Sequence, residues 1–292
     1  MKSFLSLALL ATSTISFAAE RNIYDIMYLP ESGTTYGATL LSIGRAKQEA
    51  NDSDTKVSGY SFYQFLGHSF TDRLAVQFFF DYSDTEVDPE GEKKYDSTTG
   101  FSDPSFSARY RIQDEAILWD FAAGATLSLG DKETEVNSED RPESDNRQGG
   151  NSLFFGTQLG SKTDHFQWAL AAQVTHNFKA ETEYELENGL EATLEDDAHN
   201  ELTLQADILN KLAEKSFLRS HFTTNFTESY EDDRDNETAS STTYDIGTEY
   251  QHLLSQDLLL RAGIDYSILK VRTGQIDKFT AWTYNFGLNY QF

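Results

Sequence analysis

The sequence contains no cysteine, few basic residues and no long apolar run beyond residues 4–15. Without cysteine, no disulfide can stabilise the chain, even in an oxidising compartment. Lys and Arg number 23 against 48 Asp and Glu, which gives a formal net charge of −25. This acidity argues against nucleic acid or anionic headgroups as partners. No later segment has the ~20 apolar residues that a transmembrane helix needs.

The N-terminus has the pattern of a secretory signal peptide. Lys2 precedes an apolar run from Phe4 to Ile15, and small residues stand at Ser16 and Ala18. This pattern predicts export and cleavage after Ala18, since the apolar run is too short to anchor the chain in a membrane. Residues 19–35 are predicted to form a short lead segment, periplasmic or entering a lumen, and too short for a folded plug.

Aromatic residues are abundant for so polar a chain. They make up 13% of it, with 15 Tyr and 21 Phe, although the mean hydropathy is −0.54. Because disordered segments are poor in aromatics, these rings must be buried or immersed in lipid. Apolar and polar residues alternate with period two along residues 74–82, 105–112, 166–175, 258–268 and 282–292. This alternation predicts strands with two different faces.

Short and long connections take turns between these strands. Tight polar turns are predicted at residues 71–73, 113–115, 162–164, 213–215 and 255–257, and longer acidic stretches at 84–100, 131–150, 179–198 and 229–241. Outer-membrane barrels have short periplasmic turns and long external loops in the same rhythm. The predicted fold is therefore all-β: a transmembrane antiparallel up-and-down β-barrel over residues 36–292, with about twelve strands.

Two alternatives to this architecture stay open. A count of ten or fourteen strands is also compatible, because the first strand near residues 36–46 and the second, around Tyr60 to Phe65, are irregular. A soluble periplasmic β-sandwich would explain the alternation. It explains neither the short and long rhythm nor the last residues of the chain. In lipid an open sheet edge is excluded, so the sheet must close.

The C-terminal residues carry a specific pattern. The chain ends in NFGLNYQF, with Asn285, Gly287, Tyr290 and Phe292 at the defined positions. This ending resembles the C-terminal β-signal of outer-membrane proteins: polar residue, glycine, aromatic residue and terminal aromatic residue. The resemblance implies that these four residues are an assembly signal, recognised by the outer-membrane assembly machinery.

A second resemblance concerns residues 100–112, GFSDPSFSARYRI. The motif is similar to a Gly-Asp-Pro…Lys-Tyr strand of outer-membrane proteins linked to the phenol-degradation meta-pathway. Arg109 stands where that family usually has lysine, and Ser102 where glycine is common. The resemblance implies a channel or transporter for small molecules, including hydrophobic or aromatic compounds, and it implies no catalytic residue.

If the aromatic faces contact lipid, the opposite faces line the interior, because charges facing lipid at mid-depth are costly. The charged candidates for lining the lumen are Asp81, Arg109, Arg111, Asp120, Asp207, Arg219, His221, Asp245, Glu249, Arg261 and Asp265. They would form either a polar pore with selective rings of charge or a network of ion pairs that closes the barrel. Twelve strands lie between the filled interior of eight and the open channel of sixteen.

Catalysis, metals and cofactors find little support. The six histidines form neither a His-x-Ser pair nor part of a Gly-x-Ser-x-Gly motif. No catalytic residue is predicted. The acidic runs at residues 139–145 and 231–235 lack the spacing of a calcium loop, so no metal site is predicted, and no cofactor either.

The functional prediction is an outer-membrane channel for passive or facilitated passage of small solutes. Its expected partners are outer-membrane lipid, lipopolysaccharide, the assembly machinery and an unidentified small solute. A structural barrel, or one that binds through its loops, is the alternative, and an outer-membrane hydrolase is less favoured.

Overall fold

A computed structural model describes residues 22–50, 53–89, 96–130, 132–136, 143–147, 149–186, 191–231, 237–271 and 278–292. The predicted signal peptide lies outside these residues. Within them the chain forms strands and turns without a helix. In the same residues, no helix has the length and apolar character to cross a membrane.

The strands are, in chain order, β1 (Thr35–Ala50), β2 (Ser53–Thr71), β3 (Leu74–Pro89), β4 (Asp96–Phe101), β5 (Ser105–Asp114), β6 (Leu118–Thr126), β7 (Lys132–Val136), β8 (Glu143–Asp145), β9 (Ser152–Lys162), β10 (Phe166–Asn177), β11 (Ala180–Leu186), β12 (Glu191–Asp196), β13 (His199–Ala213), β14 (Ser216–Thr227), β15 (Tyr230–Glu231), β16 (Glu237–Thr238), β17 (Ser241–Ser255), β18 (Leu258–Val271) and β19 (Lys278–Gln291).

These segments make twelve passes along one closed barrel. Several passes consist of two segments in succession, such as β4 and β5 or β10 and β11. Closure is made by β1, which pairs antiparallel with β2 on one side and with β19 on the other. The predicted antiparallel barrel of twelve strands is therefore confirmed, including the irregular first and second strands.

Alternation along most strands separates an apolar outer face from a polar inner face. In β5, for example, Phe106 and Tyr110 are 43% and 47% exposed, whereas Ser107 and Arg109 are buried. Large apolar side chains are exposed in the same way around the wall: Leu41, Phe62, Trp119, Phe155, Leu170, Ile246, Trp282 and Phe286. An exposed belt of this composition suits the hydrocarbon region of a bilayer, where every backbone group must be paired within the wall.

The short turns all lie at one end of the barrel, where β1 begins and β19 ends. They are residues 72–73, 115–117, 163–165, 214–215 and 256–257. There Thr35 and Phe292 exchange two backbone hydrogen bonds, of 3.0 and 2.8 Å. This end is the periplasmic one by the rule that periplasmic turns are short. We call it the short-turn end.

The long acidic stretches are more ordered than the sequence suggests. Three of the four predicted stretches contain strands, namely β7, β8, β11, β12, β15 and β16. In the first stretch, predicted at residues 84–100, β3 continues to Pro89 and β4 begins at Asp96. Tyr184 lies in β11 and Tyr230 in β15. The strands extend this far because backbone pairing with a neighbouring strand continues, whatever the charge of the side chains.

One external hairpin crosses over itself. The antiparallel ladder of β6 and β9 ends at Thr126 and Ser152. Beyond it, β7 pairs in parallel with β11, and β8 pairs in parallel with β4. Beyond the wall, β7 and β8 therefore lie on exchanged sides relative to β6 and β9, the strands that they extend. We call residues 127–151 the crossed hairpin.

Gly149 at the crossing is expected to be irreplaceable by alanine. Its φ is +72°, and an added Cβ would overlap the carbonyl oxygen of Glu181. Gly33 is a matched control, because its φ is +85° but nothing lies within 4 Å of an added Cβ. Gly33→Ala should cost only about 1–2 kcal/mol of backbone strain, whereas Gly149→Ala adds a steric clash. Limited proteolysis with mass spectrometry should show faster cleavage of the crossed hairpin in Gly149→Ala alone. Equal cleavage in both variants would contradict this account.

Candidate functional site: the barrel lumen

The chain before β1 lies inside the barrel at the short-turn end. We call residues 22–34 the N-terminal segment. Its side chains Ile23, Ile26, Met27, Tyr28 and Leu29 are only 3–4% exposed. The last four of them pack in one cluster with inward residues of the wall: Tyr36, Ala75, Leu118, Ala169, Leu209 and Phe217. The N-terminal segment therefore occupies the lumen at this end, although it has no helix and no regular strand.

Two buried arginines bind the backbone of the N-terminal segment. Arg109 Nη1 donates to the carbonyl oxygen of Tyr28 at 2.9 Å, and Arg111 Nη2 donates to that of Met27 at 2.8 Å. Charge-assisted bonds of this kind are stronger than neutral ones. They also give these two carbonyl oxygens, which belong to no regular strand, a buried hydrogen-bond donor.

Further side chains hold the beginning of the segment. The backbone amide of Ile26 donates to Gln167 Oε1 at 3.0 Å. Lys162 Nζ lies 2.8 Å from Asp25 Oδ2, and Gln167 also donates to the Asp25 carboxylate. The Tyr28 hydroxyl donates to Gln291 in β19. Bonds to β9, β10 and β19 therefore place the segment across the lumen and not along one wall.

The arginines that hold the segment share one carboxylate. Arg109 and Asp120 form a buried ion pair, with Arg109 Nε 3.0 Å from Asp120 Oδ2. Arg111 Nε lies 2.7 Å from Asp120 Oδ1, and Arg111 Nη1 lies 3.2 Å from Asp114 Oδ1. Buried charges are tolerated when they are paired and hydrogen-bonded in this way.

Two more arginine–carboxylate pairs lie inside the barrel. Arg219 binds Asp207 Oδ1 through Nε at 2.9 Å and Nη2 at 2.7 Å. Arg261 Nε lies 2.8 Å from Glu249 Oε2, and its Nη1 donates to Asn289 at 3.2 Å. Each of the four arginines predicted to line the lumen is thus engaged by a carboxylate.

The remaining acidic candidates are arranged differently. His221 Nε2 lies 3.3 Å from Asp265 Oδ1, and Asn285 donates to the Asp265 carboxylate. Asp245 is 5% exposed, and neither of its carboxylate oxygens has a hydrogen-bond partner within the part of the chain that the structure describes. Asp81 accepts from Ser102, near the foot of the external strands.

A strip of aromatic rings that the sequence pattern did not predict begins at Tyr28 of the N-terminal segment and continues along the inner face of β1, β2 and β3. Ring centroids are 5.6 Å apart between Tyr28 and Tyr36, 5.3 Å between Tyr36 and Phe65, 5.3 Å between Phe65 and Phe79, and 6.3 Å between Phe79 and Tyr63. We call these five residues the aromatic strip. Spacings of 4.5–7 Å are typical of favourable ring pairs.

The aromatic strip left a signal in the sequence. In β2 the rings of Tyr60 and Phe62 face outward while Tyr63 and Phe65 face inward, which is why the alternation looked blurred. In β3, Phe79 likewise faces inward, between Phe78 and Phe80 on the opposite face. Apolar residues on both faces therefore mark the strands whose inner face is also apolar.

The external end of the lumen carries a second apolar group on the same side. Val57, Val87, Leu269, Phe279 and Ala281 are all less than 10% exposed and form one cluster on β2, β3, β18 and β19. The interior thus has an apolar side, centred on β1 to β3, and a charged side, on β5, β6, β13, β14, β17 and β18.

The predicted assembly signal lies at the seam where the barrel closes. Asn285 accepts from Ser42 Oγ at 2.7 Å, and a Cβ added to Gly287 would lie 2.9 Å from the carbonyl oxygen of Thr39. The ring of Tyr290 lies beside Gly37, and Phe292 is 77% exposed. The assembly role of these residues stays a prediction.

A serine–histidine contact and the acidic side chains were considered as a nucleophilic site and as a metal site. Ser216 Oγ lies 3.1 Å from His252 Nδ1 and 2.9 Å from the Tyr250 hydroxyl, at the short-turn end of β14 and β17. Tyr250 belongs to the exposed face, so this group is not inside the lumen. In the described ranges, no three His, Asp or Glu side chains are placed to hold a metal ion. The two acidic runs fall partly outside those ranges.

The class of protein that these observations define is an outer-membrane-type β-barrel with a chain segment inside its lumen. No family model matches the sequence. No curated protein matches it either. Solved structures match the fold. An outer-membrane channel of Pseudomonas putida F1 has a TM-score of 0.61 at 13% identity, over 89% of this chain and 96% of that one.

Two autotransporter units are also similar in fold. The transport unit of AIDA-I from Escherichia coli has a TM-score of 0.56 at 11% identity, over 88% of this chain and 90% of that one. The translocator domain of NalP from Neisseria meningitidis has a TM-score of 0.52 at 10% identity, with 89% of each chain covered. At such low identity these likenesses concern the fold alone.

Proposed function

We propose that this protein is an outer-membrane channel for small apolar or aromatic solutes. The aromatic strip carries this proposal, because rings on the inner face of a barrel offer apolar molecules a surface that a water-filled pore lacks. The P. putida protein of similar fold is itself a channel. The resemblance of residues 100–112 to proteins of aromatic degradation favours the same class of solute.

A general pore for polar solutes is less favoured. The four lumen arginines are tied to carboxylates, so they do not form the free ring of charge that would select ions. The N-terminal segment also occupies the short-turn end of the lumen. Passage therefore requires this segment to move, which makes it the gate of the proposed channel.

A non-conducting structural barrel is the second candidate. The observation that favours it is the same set of ion pairs, because they and the N-terminal segment together fill much of the inner cross-section at one end. The two candidates differ in whether apolar solutes cross the outer membrane faster when the protein is present.

Uptake of N-phenyl-1-naphthylamine, a neutral aromatic probe, tests the proposal in cells with an intact lipopolysaccharide layer. Expression of the protein should accelerate the rise in probe fluorescence, and Phe79→Ser should remove most of the gain because it interrupts the aromatic strip. Phe78→Ser is the matched control, since the adjacent ring points to the opposite face.

Barrel abundance in each strain is compared by the heat-modifiable band on gels. Acceleration that survives Phe79→Ser would rule out the aromatic strip as the path. Absence of any acceleration by the folded wild-type barrel would favour the structural candidate.

A further inference from the structure

The charges inside the barrel do not balance on one side. Each lumen arginine has a carboxylate, namely Asp120, Asp207 or Glu249. Asp245 and Asp265 have no arginine or lysine partner among the contacts of the described residues, and His221 is the basic side chain beside them. Two carboxylates therefore stand together without an ion pair to an arginine or lysine. The charge of Arg219 reaches Asp265 only at longer range, because its guanidinium is bonded to Asp207.

The three residues meet because of a glycine. His221 in β14 and Asp265 in β18 are both register partners of Gly247 in β17, which lies between them. An added Cβ at Gly247 would overlap Asp265 Oδ1 and lie 2.7 Å from His221 Nε2. Asp245, two residues from Gly247, is on the same inward face. We call Asp245, Asp265 and His221 the lumen carboxylate cluster.

The buried side of the cluster lacks partners. Both oxygens of Asp245 and the hydroxyl of Thr223, its register partner in β14, are buried and make no hydrogen bond of normal geometry within the described chain. Ser267, the register partner of Asp245 in β18, interacts with this carboxylate only weakly. A buried carboxylate without a partner is costly. The opposite side is open, because the side chain of Asp265 keeps 23% of its surface exposed. A ligand that brings positive charge and N–H donors would meet both needs.

We propose that the lumen carboxylate cluster binds the ammonium group of an amphipathic solute, a proposal that rests on the channel function above. The apolar part of the solute lies on the aromatic strip. Ser42 and Asn285, which join Asp265 to the inner face of β1, lie between the two sides and provide small polar contacts. The channel then takes aromatic or aliphatic amines in preference to their neutral analogues.

A metal ion fits this cluster less well. No three acidic or histidine side chains in the described ranges converge as metal ligands, and these three are no exception. An ammonium group makes weaker demands on geometry, because its N–H groups can bind any carboxylate or hydroxyl oxygen that points into the lumen.

Isothermal titration of the refolded full-length barrel in detergent tests the proposal. The probes are benzylammonium and benzyl alcohol at pH 7, which share a ring and differ in charge. Wild type should bind benzylammonium about tenfold more tightly or better, as expected for charge-assisted hydrogen bonds. Asp245→Asn, which keeps the shape and removes the charge, should abolish that preference. Asp164→Asn, in the β9–β10 turn, should keep it.

The outcomes separate the inference from the proposed function. Equal affinity of wild type for the two probes, or an unchanged preference in folded Asp245→Asn, overturns the cluster as an ammonium site. Displacement of benzylammonium by Ca²⁺ but not by methylammonium, which carries the same N–H donors, would reassign the cluster to a metal ion and overturn the proposal too. Preference for benzylammonium in a protein that fails the uptake test would support the site while refuting the channel.

Discussion

Deletion of residues 22–30 is expected to convert a barrel of low conductance into one with large, steady conductance steps. These residues lie in the lumen at the short-turn end, with Ile26, Met27 and Tyr28 packed against the wall. Arg109 and Arg111 donate to two of their carbonyl oxygens. Removing the segment leaves a twelve-strand interior that side chains alone do not fill, since side chains just fill a barrel of eight strands. Planar-bilayer recordings of the refolded barrel measure the change.

The control for the deletion is Ser32→Ala, at an exposed position of the same segment. It removes the hydrogen bond from the Ser32 hydroxyl to the carbonyl oxygen of Phe70. The bond from the backbone amide of residue 32 to Asp72 and the buried residues of the segment stay in place. Its conductance should match wild type, apart from more frequent brief openings. A deletion variant that folds and conducts no better than wild type would show that the segment is not the gate.

The second large effect concerns stability. Asp120→Asn should lower the free energy of unfolding by about 3–5 kcal/mol, the usual cost of breaking a buried ion pair by removing one partner. The cost is high here because Arg109 and Arg111 both depend on this carboxylate, and both are almost fully buried. Urea unfolding in phospholipid vesicles, followed by tryptophan fluorescence, provides the measurement.

Asp197→Asn is the matched control for Asp120→Asn. Asp197 lies 3.1 Å from Lys179 in an external connection, where both side chains are more than half exposed. Exposed pairs contribute little because water and salt screen them. The unfolding midpoint of this variant should therefore stay at the wild-type value. An equal loss of unfolding free energy in the two variants would contradict the conclusion that the buried Asp120 stabilises the barrel more than an exposed carboxylate does.

The sequence predicted the architecture because period-two alternation and the rhythm of connections are properties of local composition. Phe106 and Tyr110 point outward and Arg109 inward in β5, as the pattern requires. The strand count also emerged, because each short turn is marked by polar residues such as Asp72 or Glu214. These features need no knowledge of contacts between distant residues.

The arrangement inside the lumen was beyond the sequence. The charged residues could be assigned to the inner face, yet their partners depend on register between strands, as with Asp207 and Arg219. The position of the N-terminal segment depends on bonds between residues far apart, such as Met27 with Arg111. The aromatic strip was hidden because rings on both faces of β2 and β3 remove the contrast that alternation provides.

The crossed hairpin sets an order of events during folding. β8 pairs in parallel with β4, and β7 pairs in parallel with β11, so the hairpin needs partners from both earlier and later parts of the chain. The pairing of β7 with β11 cannot form while β11 is still unfolded or unsynthesised. Contacts that bring distant chain segments together form late, because the entropy of loop closure must be overcome first. The outer rim is therefore completed after the wall, and defects there should slow maturation without preventing membrane insertion.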